Sequence, residues 1–168
     1  MTDTEHTSLE AVFKIMDDMR GKLLALIKDI PLDTIIHTDN HWRLRDILGH
    51  LGAWDEAAIR SIEAYKQGGQ YVVRHEFTGE DTGEQFNQRE YARYSAWSDA
   101  QIMGYFTETR EKLKQTLASL TPQQWADQMH MPWGQGSLRS PFTLGDGIAG
   151  HEDEHYQLIQ QWREATEQ

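Results

Sequence analysis

Trp42-Arg43-Leu44-Arg45-Asp46-Ile47-Leu48-Gly49-His50-Leu51-Gly52-Ala53-Trp54 carries its apolar side chains three and four positions apart, at Leu44, Ile47, Leu48, Leu51 and Trp54. Ala58, Ile59 and Ile62 continue the series. That spacing covers one face of an α-helix and predicts a helix from near Trp42 to about Lys66, just before Gly68-Gly69. His50 stands inside this apolar face, between Ile47, Leu51 and Trp54. A single imidazole so placed is more commonly a hydrogen-bonded core residue than a ligand, so His50 alone decides nothing.

The same period recurs along the chain. Thr7 and Glu10 are spaced for a capping box that opens a first helix, with apolar residues at Leu9, Val12, Phe13, Met16, Met19, Leu23, Leu26, Ile27 and Ile30. Pro31 fits its end. The stretch from Gly68 to Gly83 is long for a bundle connection, and such connections tend to be functional or mobile. A shorter helix is predicted from Glu84 to Tyr94. Ser98 and Gln101 form a second capping-box pattern, opening a helix through Ile102, Phe106, Thr109, Leu113, Leu117 and Leu120. Thr121 followed by Pro122 marks a short extra helix around Trp125. Met129 to Pro141 reads as loop, and Thr143 with Asp146 starts a last helix running to about Glu164. No strand and no internal repeat is predicted. Four long helices with short extra helices in their connections predict an all-α four-helix bundle, one domain over residues 1–168.

Composition narrows the partners. Sixteen Lys and Arg against 27 Asp and Glu give a formal charge of −11. A surface of that sign repels phosphate backbones and anionic lipid, so no nucleic-acid and no membrane partner is expected. With no cysteine, a disulfide framework, a Cys-based zinc site and a cysteine nucleophile are all excluded. Met1-Thr2-Asp3-Thr4-Glu5 lacks the basic and apolar regions of a signal peptide, and no apolar run approaches a membrane span, so a cytoplasmic location is expected.

His151-Glu152-Asp153-Glu154-His155 places two imidazoles one helical turn apart. Leu144, Ile148, Leu158 or Ile159, and Trp162 complete the same face, so both rings are predicted to point inward. With His50, three imidazoles then aim at the bundle interior from two helices. Neutral imidazole suits Zn, Ni, Fe or Cu, and three protein ligands with an open position is the pattern of a reactive metal. The spacing is not that of His-Glu-x-x-His metalloproteases, because the second histidine falls one position late. On spacing alone, ligands and ordinary core histidines stay open as readings. Trp54, Trp133, Tyr91 and Tyr156 are candidate walls of a pocket, and Asn87 and Arg89 are candidate substrate contacts. Glu152 and Asp153 are predicted to face solvent, with Glu154 near the boundary. His6, His37, His41, His75 and His130 fall in predicted loops or termini and are expected to be solvated.

Trp42 to Trp54, and Leu144 to Trp162 with its Gly150-His151-Glu152-Asp153-Glu154-His155-Tyr156 core, resemble the His-bearing helices of the DinB/YfiT-like superfamily. Trp42 to Trp54 and Phe86-Asn87 are also similar to its DfsB-like branch. The resemblance implies an up-down-down-up bundle holding one divalent transition metal per chain (Zn, Ni or Fe) on His50, His151 and His155. It implies a metal-dependent enzyme acting on small electrophilic molecules, foremost an S-transferase using a low-molecular-weight thiol such as mycothiol, bacillithiol or glutathione. A metal-dependent hydrolase of the DfsB-like self-resistance type is the alternative, and a non-catalytic stress-associated binding protein is a third reading. Pairing through helix faces, common in that superfamily, implies a homodimer.

Overall fold

The helix starts are set by local hydrogen bonding at their first turns. In a computed structural model describing residues 8–167, α1 spans Leu9–Ile27, and Ser8 caps it by accepting from the Ala11 N–H at 3.1 Å. The cap falls on Ser8, one residue after the predicted Thr7, which lies outside the described residues. The second helix, α2 (Leu44–Lys66), begins two residues later than predicted. Trp42 and Arg43 are held extended instead, with the Ile36 and His37 N–H groups donating to the Trp42 carbonyl and Arg43 bridging Ile35. Asp46 then accepts from the Arg43 N–H at 2.9 Å, the reciprocal half of a capping box.

Three further helices follow the sequence signals closely. A 3₁₀ turn at Val73–Glu76 and the helix α3 (Thr82–Tyr94) occupy the long connection. Val72 and Val73 are buried there, and Phe86 packs α3 against α2 through Ala53 and Ala57. The Ser98–Gln101 box opens α4 (Asp99–Ala118), and the Thr121–Gln124 box opens the single turn α5 (Pro122–Trp125).

The stretch expected to be loop is instead a small hairpin. Met129–His130 (β1) pairs antiparallel with Leu138–Arg139 (β2), closed through Gly134 and Gly136 at positive φ. The breakers that read as irregular chain are the turn of this ribbon. Ser61 of α2 donates to the His130 carbonyl and the Val73 N–H donates to the Pro132 carbonyl, so the hairpin is moored on both sides. The last helix, α6 (Pro141–Thr166), starts earlier than predicted because Ser140 is its N-cap and Pro141 fills the first helical position.

The helices pack as two close pairs, α2 on α4 and α1 on α6. Close approach to α2 depends on Gly49 and Gly52. A methyl group on either would sit 2.7 Å from the ring of Tyr94 or Tyr105. Besides the small cluster that joins α3 to α2, the apolar interior falls into two large ones. One lies around Val12, Met16, Ile62, Leu113 and Leu144, the other around Leu23, Leu48, Tyr94, Phe106 and Ile159. Among the described residues no helix is long and apolar enough to cross a membrane.

Candidate metal centre

His50 comes from α2 and is 5% exposed, packed edge-on against the two histidines of α6 and tilted against Trp42. His151 and His155 project one turn apart from α6, each half-buried. The structure therefore brings together all three residues singled out from the sequence. Their Nε2 atoms converge: His50 and His151 are 3.0 Å apart, and His151 and His155 3.3 Å. One ring nitrogen from each lies within 4.8 Å of the others.

Burial sets their charge. His50 is driven well below the ordinary histidine range by burial, then by the neighbouring His155 and His151. His155 is pushed down to about 3 by burial, His151 and His37. Burial also lowers His151, although the Glu154 carboxylate pulls the other way. All three rings are thus neutral near pH 7, the form that binds metal.

The donor set fits a divalent cation. Two nitrogens each ~2.05 Å from a tetrahedral ion lie roughly 3.3 Å apart, close to the separations found here. The central nitrogen gives a second reason. Nε2 of His151 has either one proton or one lone pair, so it cannot complete a directed hydrogen bond with both neighbours at once. A cation between three lone pairs removes that conflict.

A cavity of about 700 Å³ opens beside His50 and His151. Trp54, Asn87, Trp133, Thr143, Asp146, Gly147, Ile148, Gly150 and Glu154 complete its lining. Of the four aromatic candidates, Trp54 and Trp133 are walls, and Trp54 donates from Nε1 to Asn87 at 3.2 Å. The indole of Trp133 lies against Gly147, where a methyl group would meet it at 2.6 Å. The hairpin thus delivers one wall and a glycine of α6 leaves room for it. Tyr91, Tyr156 and Arg89 are not among the lining residues, and Arg89 is ion-paired with Glu76 and Glu90. Thr143 and Asp146 read in the sequence only as a helix start, and the early start of α6 puts them inside the helix, on the cavity.

Glu152 requires a correction. Its side chain is fully buried and paired with Arg20 and Arg110. It shares a helix face with Gly145, Ile148 and Ile159 in steps of three, four and seven, and that register outweighs its charge. The remaining histidines divide. His41 and His75 are exposed, whereas His37 and His130 are half-buried, His130 donating from Nδ1 to the Gly136 carbonyl at 2.7 Å. His6 lies outside the described residues.

A model of the DinB superfamily matches residues 4–159. No curated protein matches. Among solved structures, an uncharacterized protein from Clostridium difficile 630 superposes with a TM-score of 0.75 at 15% identity, covering 94% of this chain and 96% of that one. The sibling lethal factor precursor DfsB gives 0.74 at 14% identity, covering 98% and 99%. The colibactin self-resistance protein ClbS, in complex with double-stranded DNA, gives 0.74 at 11% identity, covering 94% and 96%. These similarities establish the fold. The ClbS complex also corrects the expectation that a strongly acidic balance excludes nucleic acid. Net charge averages over a whole surface, whereas a duplex is held by local contacts to phosphates and base edges. With the all-α architecture and a family match over nearly the whole sequence, this chain belongs to the DinB superfamily.

Proposed function

We propose that His50, His151 and His155 bind one divalent transition metal, with Zn, Ni and Fe the candidates, and that the chain is a metal-dependent enzyme acting on small electrophilic molecules. The observation that carries this reading is the convergence of three neutral imidazoles, two of which line a cavity. Such a metal supplies Lewis acidity, which lowers the pKa of an incoming water or thiol toward neutrality.

The protein's own residues set what meets that centre. Trp54 and Trp133 wall the cavity with apolar surface. Asn87 and Thr143 offer hydrogen-bonding groups to a bound molecule. Without cysteine, any sulfur nucleophile must come from outside as a low-molecular-weight thiol. The lining contains the carboxyl groups of Asp146 and Glu154 and no Lys or Arg. The exposed Glu154 carboxylate on that lining favours a thiol without carboxylates for S-transfer. The same lining supports hydrolysis as the second reading, since water meets no such repulsion. The structural likeness to DfsB and ClbS is consistent with either.

The test is a panel of epoxides, alkyl halides and activated esters, incubated with metal-loaded protein alone, with glutathione, and with a neutral thiol. Thiol consumption with the neutral thiol supports transfer, and turnover without thiol supports hydrolysis. Metal-loaded protein inert toward the whole panel would favour the non-catalytic binding protein.

A further inference from the structure

Arg20, Asp55, Arg110 and Glu152 come one from each of α1, α2, α4 and α6, and none is more than 9% exposed. Arg20 Nε donates to Glu152 at 2.5 Å, and Arg110 donates to both Asp55 oxygens at 2.9 and 3.1 Å. Those bonds lie within the two helix pairs, α1 with α6 and α2 with α4. Two other contacts cross between the pairs, Arg110 to Glu152 at 2.7 Å and Arg20 to Asp55 at 3.4 Å. Arg20 crosses a second time, donating to the Phe106 carbonyl of α4 at 2.7 Å.

The histidine trio spans the same divide. His50 belongs to the α2–α4 pair, and His151 and His155 belong to the α1–α6 pair. Asp55 follows His50 by five residues, a rise of about 7.5 Å along the helix. Glu152 follows His151 directly, so both carboxylates are built into the segments that present the imidazoles.

The geometry points to Arg20, Asp55, Arg110 and Glu152 as positioning residues for the metal centre: a crossed charge clamp that fixes the register of one helix pair against the other. The inference rests on the reading of the trio as a metal site. A slip of one residue between α2 and α6 displaces them by about 1.5 Å. Metal–nitrogen distances tolerate only about ±0.2 Å. Apolar contacts between helices are non-directional, so they hold register less strictly than directed ion pairs do. Two guanidiniums and two carboxylates, crossed as they are here, make all four of their ion pairs in one register.

Stability alone is a poor account of the clamp. Desolvating four charges offsets most of their mutual attraction, and well-packed apolar replacements of such groups are often as stable or more so. Arg110 NH1 is moreover buried with no hydrogen bond to any described residue. What the layer adds is position.

The test replaces all four charges at once, Arg20→Met, Asp55→Leu, Arg110→Met and Glu152→Leu, in the full-length chain. Thermal melting and Co(II) titration, followed by visible absorption, are then compared with wild type. The clamp predicts a melting temperature at least equal to wild type, Co(II) affinity about 10- to 100-fold weaker, and an altered ligand-field spectrum. A folded variant that binds Co(II) with wild-type affinity and spectrum overturns it. If the fourfold variant does not fold, Arg110→Lys keeps a buried charge while losing the planar fork that reaches two carboxylates. Weakened, spectrally altered Co(II) binding at unchanged helicity is again expected, and wild-type binding overturns the clamp. Wild-type protein that takes up no Co(II) overturns the metal reading of the trio itself, a result distinct from a variant that binds as wild type does.

Discussion

His151 and Glu152 are neighbours in the chain and serve opposite electrostatic ends. The histidine trio gathers three neutral rings at the edge of a cavity with bonding capacity left over. The charged layer seals two arginines and two carboxylates inside the bundle, where each charge meets opposite ones. Burial acts against both sets. The histidines answer by staying uncharged, whereas Asp55 and Glu152 outweigh the burial of Arg110 and raise its pKa. A candidate site and a structural layer are thus separated by charge state and by the cavity that only the first faces, not by how deeply their groups are buried.

Breaking the layer at one point has the largest expected effect. Glu152→Ala leaves two buried guanidiniums to share the single carboxylate of Asp55, and unfolding free energy should fall by about 3–5 kcal/mol. Urea denaturation measures it, and a loss below ~1 kcal/mol would mean the layer is not internally compensated. His151→Ala is the matching change on the other side. It removes the central ring of the trio beside an open cavity, so metal content should fall from about one ion per chain toward none while the fold persists. Equal metal in wild type and variant, by elemental analysis, contradicts that role.

Much of this contrast was legible in the sequence, and the illegible part has a physical cause. The His-x-x-x-His turn and His50 on its apolar stripe marked the trio because histidine interrupts a hydrophobic pattern without breaking it. The caps at Ser98 and Thr121 were readable because they are local hydrogen bonds. The charged layer was not readable. Arg20, Asp55, Arg110 and Glu152 occupy core positions on their helices, but a charge at a core position looks like a helix face turned to water until its partners from other helices are known. The hairpin was missed for a related reason: its pairing is two residues long, and its anchors, Ser61 and Val73, lie far off in sequence.

Acid sharpens the comparison with a smaller effect. All three histidines titrate below their ordinary value near ~6.5, so below that pH the unfolded chain takes up protons that the folded chain refuses. Metal-free protein should hold its full stability above about pH 6.5. It should lose stability progressively as pH falls toward 3, where His155 finally titrates. Denaturation midpoints at neutral and mildly acidic pH, in chelator, measure this, and a midpoint unchanged between them contradicts neutral burial of the trio. Chelation at neutral pH should have the smallest effect on the fold. The apolar clusters hold the bundle, so far-UV helicity should stay constant while metal leaves. Cooperative unfolding on adding chelator would make the centre structural.

The central claim, that the trio is a metal centre, is tested most directly by titrating wild type and His50→Ala with Zn(II) at a series of pH values. If His50 is the ligand that α2 contributes, wild type binds about one ion per chain and loses affinity as pH falls through roughly 6 to 5, where protons compete for the imidazoles. His50→Ala binds far more weakly at every pH, because two rings on one turn of α6 cannot close a three-point site. Equal affinity and equal pH dependence in the two proteins would show that His50 is not a ligand and that the trio is not the metal centre.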